Sequence, residues 1–465
     1  MNSTSISNIY LIGIGGIGMS ALARFFKAMG KEVSGYDKTP SSLTDELIAE
    51  GIRIHFEDNV QLIPENITNP KNRDNVLVIY TPAIPANHSE LEYMNRSGFH
   101  ILKRSEVLGE ITKDNYTVAI GGTHGKTTTS TIIAHILKTA GVDCTAFLGG
   151  ISVNYHTNLI LSKTGTTMVV EADEYDRSFL TLHPQIAVIT SMDADHLDIY
   201  QTKEHLEESY KLFARKVKKG GMLIYKQGLP LHDITDIQCI SYSLHEKADF
   251  TTANIKIEDG EHVFDIICPK AIIKQMRFGY PGLHNVENAL AAIAVAISMN
   301  ISESNIREAL ETFKGVHRRF EFHIKEKDIV YIDDYAHHPE ELRACITSVK
   351  ELYPGKKIIG IFQPHLFTRT RDFADGFAQS LALLDELILL EIYPARELPI
   401  EGINSRMLLD KVKMKNKMLC TNEELMEELS NRKSEVVLTL GAGDIDRLVE
   451  PIKNLLDLRL KLTIS

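Results

Sequence analysis

Short apolar runs alternate with amphipathic stretches along most of the chain. NIYLIGI from Asn8, a glycine turn, ALARFFKAMG and KEVSGYD read as strand, helix and strand. VLVIYT and HILKR add two strand candidates. The polar KDN at Lys113 then precedes a fresh strand, TVAIGG, and a domain boundary is expected there. The next segment again alternates, with TTSTIIAHILKTAG helical and TTMVVEAD and QIAVITSM extended. After about Leu223 the strand candidates become short and interrupted by polar residues, which predicts a small antiparallel addition. NVENALAAIAVAISMN and IREALETF are strong helix candidates, and the basic GVHRRFEFH places a second boundary near Glu321. DIVYIDDYA, KIIGIFQPH, ELILLEIYP and EVVLTLGAG then read as buried parallel strands between helices. The expectation is an α/β chain of three domains in series, 1–113, 114–321 and 322–465, each with a mostly parallel sheet.

Composition narrows the function classes. Hydrophobic residues at 43% and charged residues at 24% supply several cores and argue against disorder. A net charge of −11 weighs against nucleic acid or an anionic membrane as main partner and leaves small anionic ligands open. Cys144, Cys239, Cys268, Cys345 and Cys420 are scattered, with no CxxC pair, and read as free thiols of a reducing compartment. No basic region precedes the first apolar stretch, and no run approaches the roughly 20 apolar residues of a membrane span. A cytoplasmic protein, monomeric or homodimeric, is expected.

Gly13, Gly15 and Gly18 form G-x-G-x-x-G between a strand and a helix, with Asp37 ending the next strand. Such a turn lets backbone approach a diphosphate at a helix N-terminus, where unsatisfied N–H groups and the dipole favour an anion. NAD and a UDP-sugar meet that requirement equally, and glycines needed only for packing are the bland alternative.

The second glycine loop is GGTHGKTTTS, Gly121 to Ser130, one residue shorter than the usual P-loop spacing. It still combines a phosphate cradle around Gly122 to Gly125, Lys126 for the β/γ phosphates and a Thr127 hydroxyl for Mg²⁺. His124 reads as a residue that shapes the loop. Mg²⁺ takes hard oxygen ligands and keeps waters, so one or two carboxylates suffice. Glu171 ends an apolar run and would emerge at the same sheet edge, while Asp173 and Glu174 read as solvated loop acids. MDADHLD ends another strand and makes His196 a candidate second-metal ligand, with an ordinary hydrogen-bonded histidine as the alternative.

GGTHGKTTT, EADEYD, MDADHLD, GLHNVENALAA and GVHRRFEF, in that order, resemble the central-domain motifs of the Mur ligases. GIGGIGMS, DDYAHHP and FQPHLFTRTRDF further resemble the family member that adds L-alanine, so the match spans essentially the whole chain. The resemblance implies a Rossmann-like N-terminal domain for the UDP-sugar, a P-loop-type central domain for ATP and Mg²⁺, and a Rossmann-like C-terminal domain that closes over both and helps hold the amino acid. The UDP part then falls to Gly15, Gly16, Ile17, Gly18, Met19, Ser20 and Asp37. ATP falls to Gly122, Thr123, His124, Gly125, Lys126, Thr127 and Thr128, with His284, Asn285, Asn288, Arg319 and Asp334. Metal falls to Thr127, Glu171 and His196. Lys126, His196, Arg318 or Arg319, Asp334 and His337 take the catalytic positions, and His337, His338 and Arg369 the substrate side. Some relatives carry arginine at Leu366, so carboxylate recognition is expected to rest on Arg369, Arg371 or another residue. GAGDID, with Gly441, Gly443 and Asp444, resembles a strand-turn element of the family.

The implied reaction is ATP-driven amide formation through an acyl phosphate on the lactyl carboxylate of UDP-N-acetylmuramate, with L-alanine as the amine. A recycling ligase that attaches a whole tripeptide is the nearest alternative. A nucleotide-sensing switch would bind ATP without amine-dependent turnover. An NAD-dependent oxidoreductase would leave Lys126, Glu171 and His196 unexplained.

Overall fold

The computed structural model describes residues 6–85, 87–195, 197–258, 260–395 and 397–464, without the side chains of 197, 198, 463 and 464. Among the described residues the strands form three sheets. The first holds β1 (Asn8–Ile12), β2 (Glu32–Tyr36), β3 (Arg53–His55), β4 (Val76–Tyr80) and β5 (His100–Lys103) in the order β3-β2-β1-β4-β5, all parallel. Buried on both faces, β1 and β4 need the unbroken apolar runs IYLI and VLVI. The strand order reverses beside β1, and the crevice at its C-terminal end is where the first glycine loop lies.

The second sheet contains β6 (Tyr116–Gly121), β7 (Cys144–Ser152), β8 (Thr157–Ile160), β9 (Thr167–Glu171), β10 (Ile186–Ile189), β11 (Met222–Lys226), β12 (Gln238–Ser243), β13 (Phe250–Glu258), β14 (Glu261–Cys268) and β15 (Ala271–Phe278). Its order is β15-β14-β13-β12-β11-β10-β6-β9-β7-β8. The expected small antiparallel addition is corrected in part. β11, β12 and β13 extend the sheet in parallel, and only two residues separate β14 from its neighbour β15, a connection that requires reversal. Short strands with polar interruptions gave no sign of direction, because direction is set by the connection and not by the strand.

β16 (Glu321–Lys325), β17 (Val330–Asp334), β18 (Ile358–Phe362), β19 (Glu386–Leu389), β20 (Lys417–Leu419) and β21 (Val436–Leu440) make the third sheet, ordered β16-β17-β21-β18-β19-β20. β16 is antiparallel to β17 and the other pairs are parallel.

The chain divides into two compact units: Met1–Lys256 with Val263–Arg277 and Glu287–Phe313, and Ile257–His262 with Phe278–Val286 and Lys314–Ser465. Sheets one and two share the first unit because one apolar core runs through both, from Ile9 and Leu22 to Phe147, Val170 and Ile189. Phe25 meets Phe147 with ring centroids 5.4 Å apart. Buried Asn158 of β8 donates to Ile17 O at 2.6 Å and Ser20 Oγ at 2.9 Å, and accepts from Arg24 at 2.6 Å. Arg104 and Asp173 add an ion pair at 3.0 Å. The third sheet has its own core, including Tyr331, Ile361, Ile388 and Val437. No described helix is long and apolar enough to cross a membrane.

Candidate active site

The first glycine loop joins β1 to the helix Ile17–Ala28. Gly13 and Ile14 donate to Tyr36 O at 2.8 and 3.0 Å, which pins the loop to the end of β2. Asp37 accepts from Gly15 N at 2.7 Å, and a Cβ at Gly15 would lie 2.8 Å from that same oxygen. Asp37 therefore shapes the loop in this conformation. Gly18 faces Arg104, whose Nη1 would be 2.6 Å from an added Cβ. Ile17 and Gly18 line a cavity of about 120 Å³ together with Arg104, Phe147, Glu171 and Asp173. Met19 and Ser20 are buried, and Ser20 Oγ donates to Ile17 O at 2.9 Å, so both serve packing. Gly16 sits at the N-cap position of the helix.

The second loop connects β6 to the helix Lys126–Thr139. Gly122 has φ +138° and Gly125 φ +84°, conformations that other residues rarely adopt. A Cβ on Gly122 would collide with Thr190, and one on Gly125 would meet Asn288 Oδ1 at 2.5 Å. The loop is thus a close-packed backbone cradle. Thr123 N and His124 N donate to Ser191 O and Ser191 Oγ at 3.3 and 2.8 Å. A phosphate would therefore be met by the amides that begin the helix at Gly125, Lys126 and Thr127, which lack intrahelical acceptors. Thr128 is buried on the same first turn. His124 stands 3.8 Å from Asp193 through Nε2.

Thr127 Oγ1 donates to both Glu171 oxygens at 3.1 Å. Glu171 ends β9, the direct neighbour of β6, so sheet pairing alone brings carboxylate and hydroxyl together. The carboxylate lies over Gly149 of β7, where any Cβ would collide with it. A hard cation that keeps most of its waters needs little more from the protein. His196 lies outside the described residues.

Lys126 Nζ reaches Gly122 O at 2.7 Å and both oxygens of Glu174 at 2.9 and 2.8 Å. Glu174 is only 2% exposed. The solvated loop acid expected at that position is instead a buried counter-ion. Burial pulls Lys126 down, but Glu174, Glu171 and Asp173 outweigh it and hold the ammonium above the ordinary lysine value. The signal for Glu174 was weak because acids on both sides of it favour solvent in sequence terms.

The helix Leu283–Ser298 carries the HNVEN asparagines. Asn288 Oδ1 fronts Gly125 and accepts from Thr129 Oγ1 at 3.3 Å. Asn285 donates to Pro281 O at 2.5 Å. His284 is neutral at working pH, its pKa lowered by burial to about 4.

In the second unit, Arg318 (φ +59°) donates to Asp333 Oδ2 at 3.1 Å and Gly441 O at 2.7 Å, so it braces the fold. Arg319 packs over Tyr335 and lies 3.8 Å from Glu341 Oε1. Asp334 accepts from Phe320 N and Ala336 N, both at 2.7 Å, and burial lifts its pKa to about 6. It holds the turn after the two arginines against the end of β17. His337 Nδ1 lies 3.0 Å from Tyr335 O, an atom that only accepts, so Nδ1–H is the donor and Nε2 carries the lone pair. Burial lowers the His337 pKa to about 3, and Glu341 Oε2 sits 3.2 Å from Nδ1. Glu341 thus serves Arg319 and His337 together, a role that its place in HHPEE did not announce. His338 caps the helix Pro339–Leu352, its Nδ1 accepting from Glu340 N at 3.4 Å, with the ring against Phe373. Arg369 is buried. Leu366 has φ +70° at the start of the helix Phe367–Asp372. Gln363 donates to Asp444 at 2.7 Å and accepts from Ile445 N at 2.9 Å, which fixes the GAGDID turn.

Profiles described as Mur ligase family, catalytic domain, Mur ligase middle domain, and Mur ligase, glutamate ligase domain match residues 8–116, 120–296 and 318–443. The chain belongs to the Mur ligase family. Among its Mur ligase relatives, the UDP-N-acetylmuramate--L-alanine ligase of Flavobacterium johnsoniae is 54% identical over 458 residues, 98% of this chain and 99% of that protein. The protein of the same name from Parabacteroides distasonis is 53% identical, covering 98% of each. The solved UDP-N-acetylmuramate-alanine ligase of Thermotoga maritima superposes with a TM-score of 0.80 at 29% identity, over 96% of this chain and 99% of that one. A murein peptide ligase from Psychrobacter arcticus, at TM-score 0.71 and 22% identity over 97% and 98%, shares the Mur ligase fold.

Proposed function

We propose that this chain is the ATP-dependent ligase that joins L-alanine to the lactyl carboxylate of UDP-N-acetylmuramate in peptidoglycan synthesis, working in the cytoplasm. The observation that carries the chemistry is the convergence of Lys126, Thr127 and Glu171 at one sheet edge, beside a glycine loop that only glycine can follow. The substrates rest on the relatives that match over nearly the whole chain. Those names also favour L-alanine over a tripeptide, since the likeness to the murein peptide ligase speaks to fold alone.

In this reading the lactyl carboxylate attacks the γ-phosphorus, ADP leaves, and the amine displaces phosphate from the acyl phosphate. The first step brings anions together, so the chain's task is neutralisation and alignment. Lys126 and the first-turn amides of its helix take the phosphates, and Thr127 and Glu171 hold Mg²⁺, which supplies charge neutralisation at the phosphates. The first glycine loop takes the UDP diphosphate at the start of the helix Ile17–Ala28. Arg319, beside Glu341 and over Tyr335, takes the arginine position of the catalytic set, and Arg318 bonds Asp333 and Gly441. His337 presents Nε2 as a hydrogen-bond acceptor that orients the alanine amine, with Glu341 beside Nδ1. His338, as a helix cap, supports that turn.

Phosphate release with Mg²⁺-ATP and UDP-N-acetylmuramate, compared with L-alanine, a tripeptide and no amine, tests the reading. Dependence on L-alanine is expected. Dependence on the tripeptide alone, or on neither, would overturn it. Chelating Mg²⁺ should stop phosphate release and leave UDP-sugar binding intact.

A further inference from the structure

Glu174 has no part in the transfer chemistry described above, yet it is the buried counter-ion of the lysine on which that chemistry depends. Its backbone is fixed, with the carbonyl accepting from Tyr200 Oη at 2.5 Å and Arg177 N at 2.9 Å. Both carboxylate oxygens face one side of Lys126 Nζ, at 2.9 and 2.8 Å, with Gly122 O at 2.7 Å and Thr123 O at 3.5 Å as its other acceptors. Phosphate oxygens that arrive at Lys126 compete with these acceptors for the ammonium. Gly122 O belongs to a loop with φ +138° that no Cβ could enter, so it cannot withdraw without unmaking the cradle. The Glu174 side chain can swing about its own bonds. A carboxylate and a phosphate offer the ammonium the same thing, a pair of anionic oxygens.

We propose that Glu174 is a built-in stand-in for the nucleotide phosphate: its carboxylate holds Lys126 in place in the ligand-free protein and is displaced when phosphate oxygens arrive, so that it lowers nucleotide affinity. This rests on the reading of Lys126 as the phosphate-binding lysine. Glu174 is then a positioning residue, acting through Lys126. A permanent Lys-Glu pair of the kind that supports nucleotide phosphates in protein kinases predicts the opposite sign, because there the acid strengthens binding.

The test is calorimetric titration of the full chain and of Glu174→Gln with Mg²⁺-ADP, without UDP-sugar. Glutamine keeps the shape and an acceptor oxygen but gives up the charge. The variant should bind Mg²⁺-ADP about tenfold more tightly, and Glu174→Asp, with its charge on a shorter stem, should fall between. Inorganic pyrophosphate should raise the melting temperature of Glu174→Gln at lower concentration than it does for the unaltered protein. Equal or weaker binding by the variant overturns the proposal. If Glu174→Gln does not fold, a crystal structure of the unaltered protein with Mg²⁺-ADP decides. Glu174 beyond hydrogen-bond reach of Lys126 supports displacement, and a retained pair overturns it. No Mg²⁺-ADP binding by the unaltered protein would overturn the reading of Lys126 itself, and the proposal with it.

Discussion

At the scale of single residues, the candidate site depends on side chains whose partners remove their freedom. Lys126→Ala should abolish acyl-phosphate formation and leave UDP-sugar binding within about twofold, because the two glycine loops are separate. The check is ADP release beside calorimetry with the UDP-sugar, and equal loss of both would refute the division. The substitution also strands a buried carboxylate, so a stability loss of about 3–5 kcal/mol is expected in urea melts. Gly149→Ala pushes the Glu171 carboxylate off Thr127 and should raise the Mg²⁺ concentration for half-maximal activity about 10- to 100-fold. An unchanged Mg²⁺ titration would remove Glu171 from the metal site. His337 supplies a pH dependence whose sign is fixed. Its folded pKa of about 3 lies below the ordinary 6.5, so the unfolded chain takes up a proton first as pH falls. The stability that this neutral imidazole contributes is present above 6.5 and is lost between there and about 3. Asp334, raised to about 6, works in the opposite direction below that value. The measurable quantity is therefore a difference: His337→Gln should lose less stability between pH 7.5 and 5 than the unaltered protein, and equal slopes would contradict the assignment.

At the scale of elements, strand ends and helix starts do the placing. β6 delivers the second glycine loop, and its neighbour β9 delivers Glu171 one strand away, so the Thr127–Glu171 pair follows from sheet order. The helix Ile17–Ala28 is held from outside its own sheet by Asn158 of β8, fully buried and bonded to Ile17 O, Ser20 Oγ and Arg24. Asn158→Ala should cost about 1–3 kcal/mol, because it leaves buried groups unsatisfied. It should also raise KM for the UDP-sugar more than KM for ATP, since it loosens the first glycine loop and not the second. A change in KM for ATP alone would show that the helix does not serve the sugar site.

At the scale of the whole molecule, the apolar core of the first unit runs through sheets one and two, and the third sheet has a core of its own. These two clusters share no residue and need not melt together. Calorimetric heating should give two transitions, and the UDP-sugar should raise only the one belonging to the first unit. A single transition raised as a whole would show that the units unfold as one.

The sequence by itself determined the alternation of strands and helices, the α/β class, both glycine loops, Lys126, Thr127 and Glu171, because apolar period and glycine placement are local properties of the chain. It also located HRR and DDYAHHP, although not which groups each arginine would meet. Tertiary structure alone decided that Arg318 braces Asp333 and Gly441 while Arg319 remains beside Glu341, and that His338 caps a helix while His337 keeps Nε2 as an acceptor. It also turned Glu174 inward onto Lys126 and carried the parallel sheet on through β13. Those outcomes depend on which distant groups meet, and on the burial that makes an acid choose an ammonium over water. A charge pattern read along the chain contains neither.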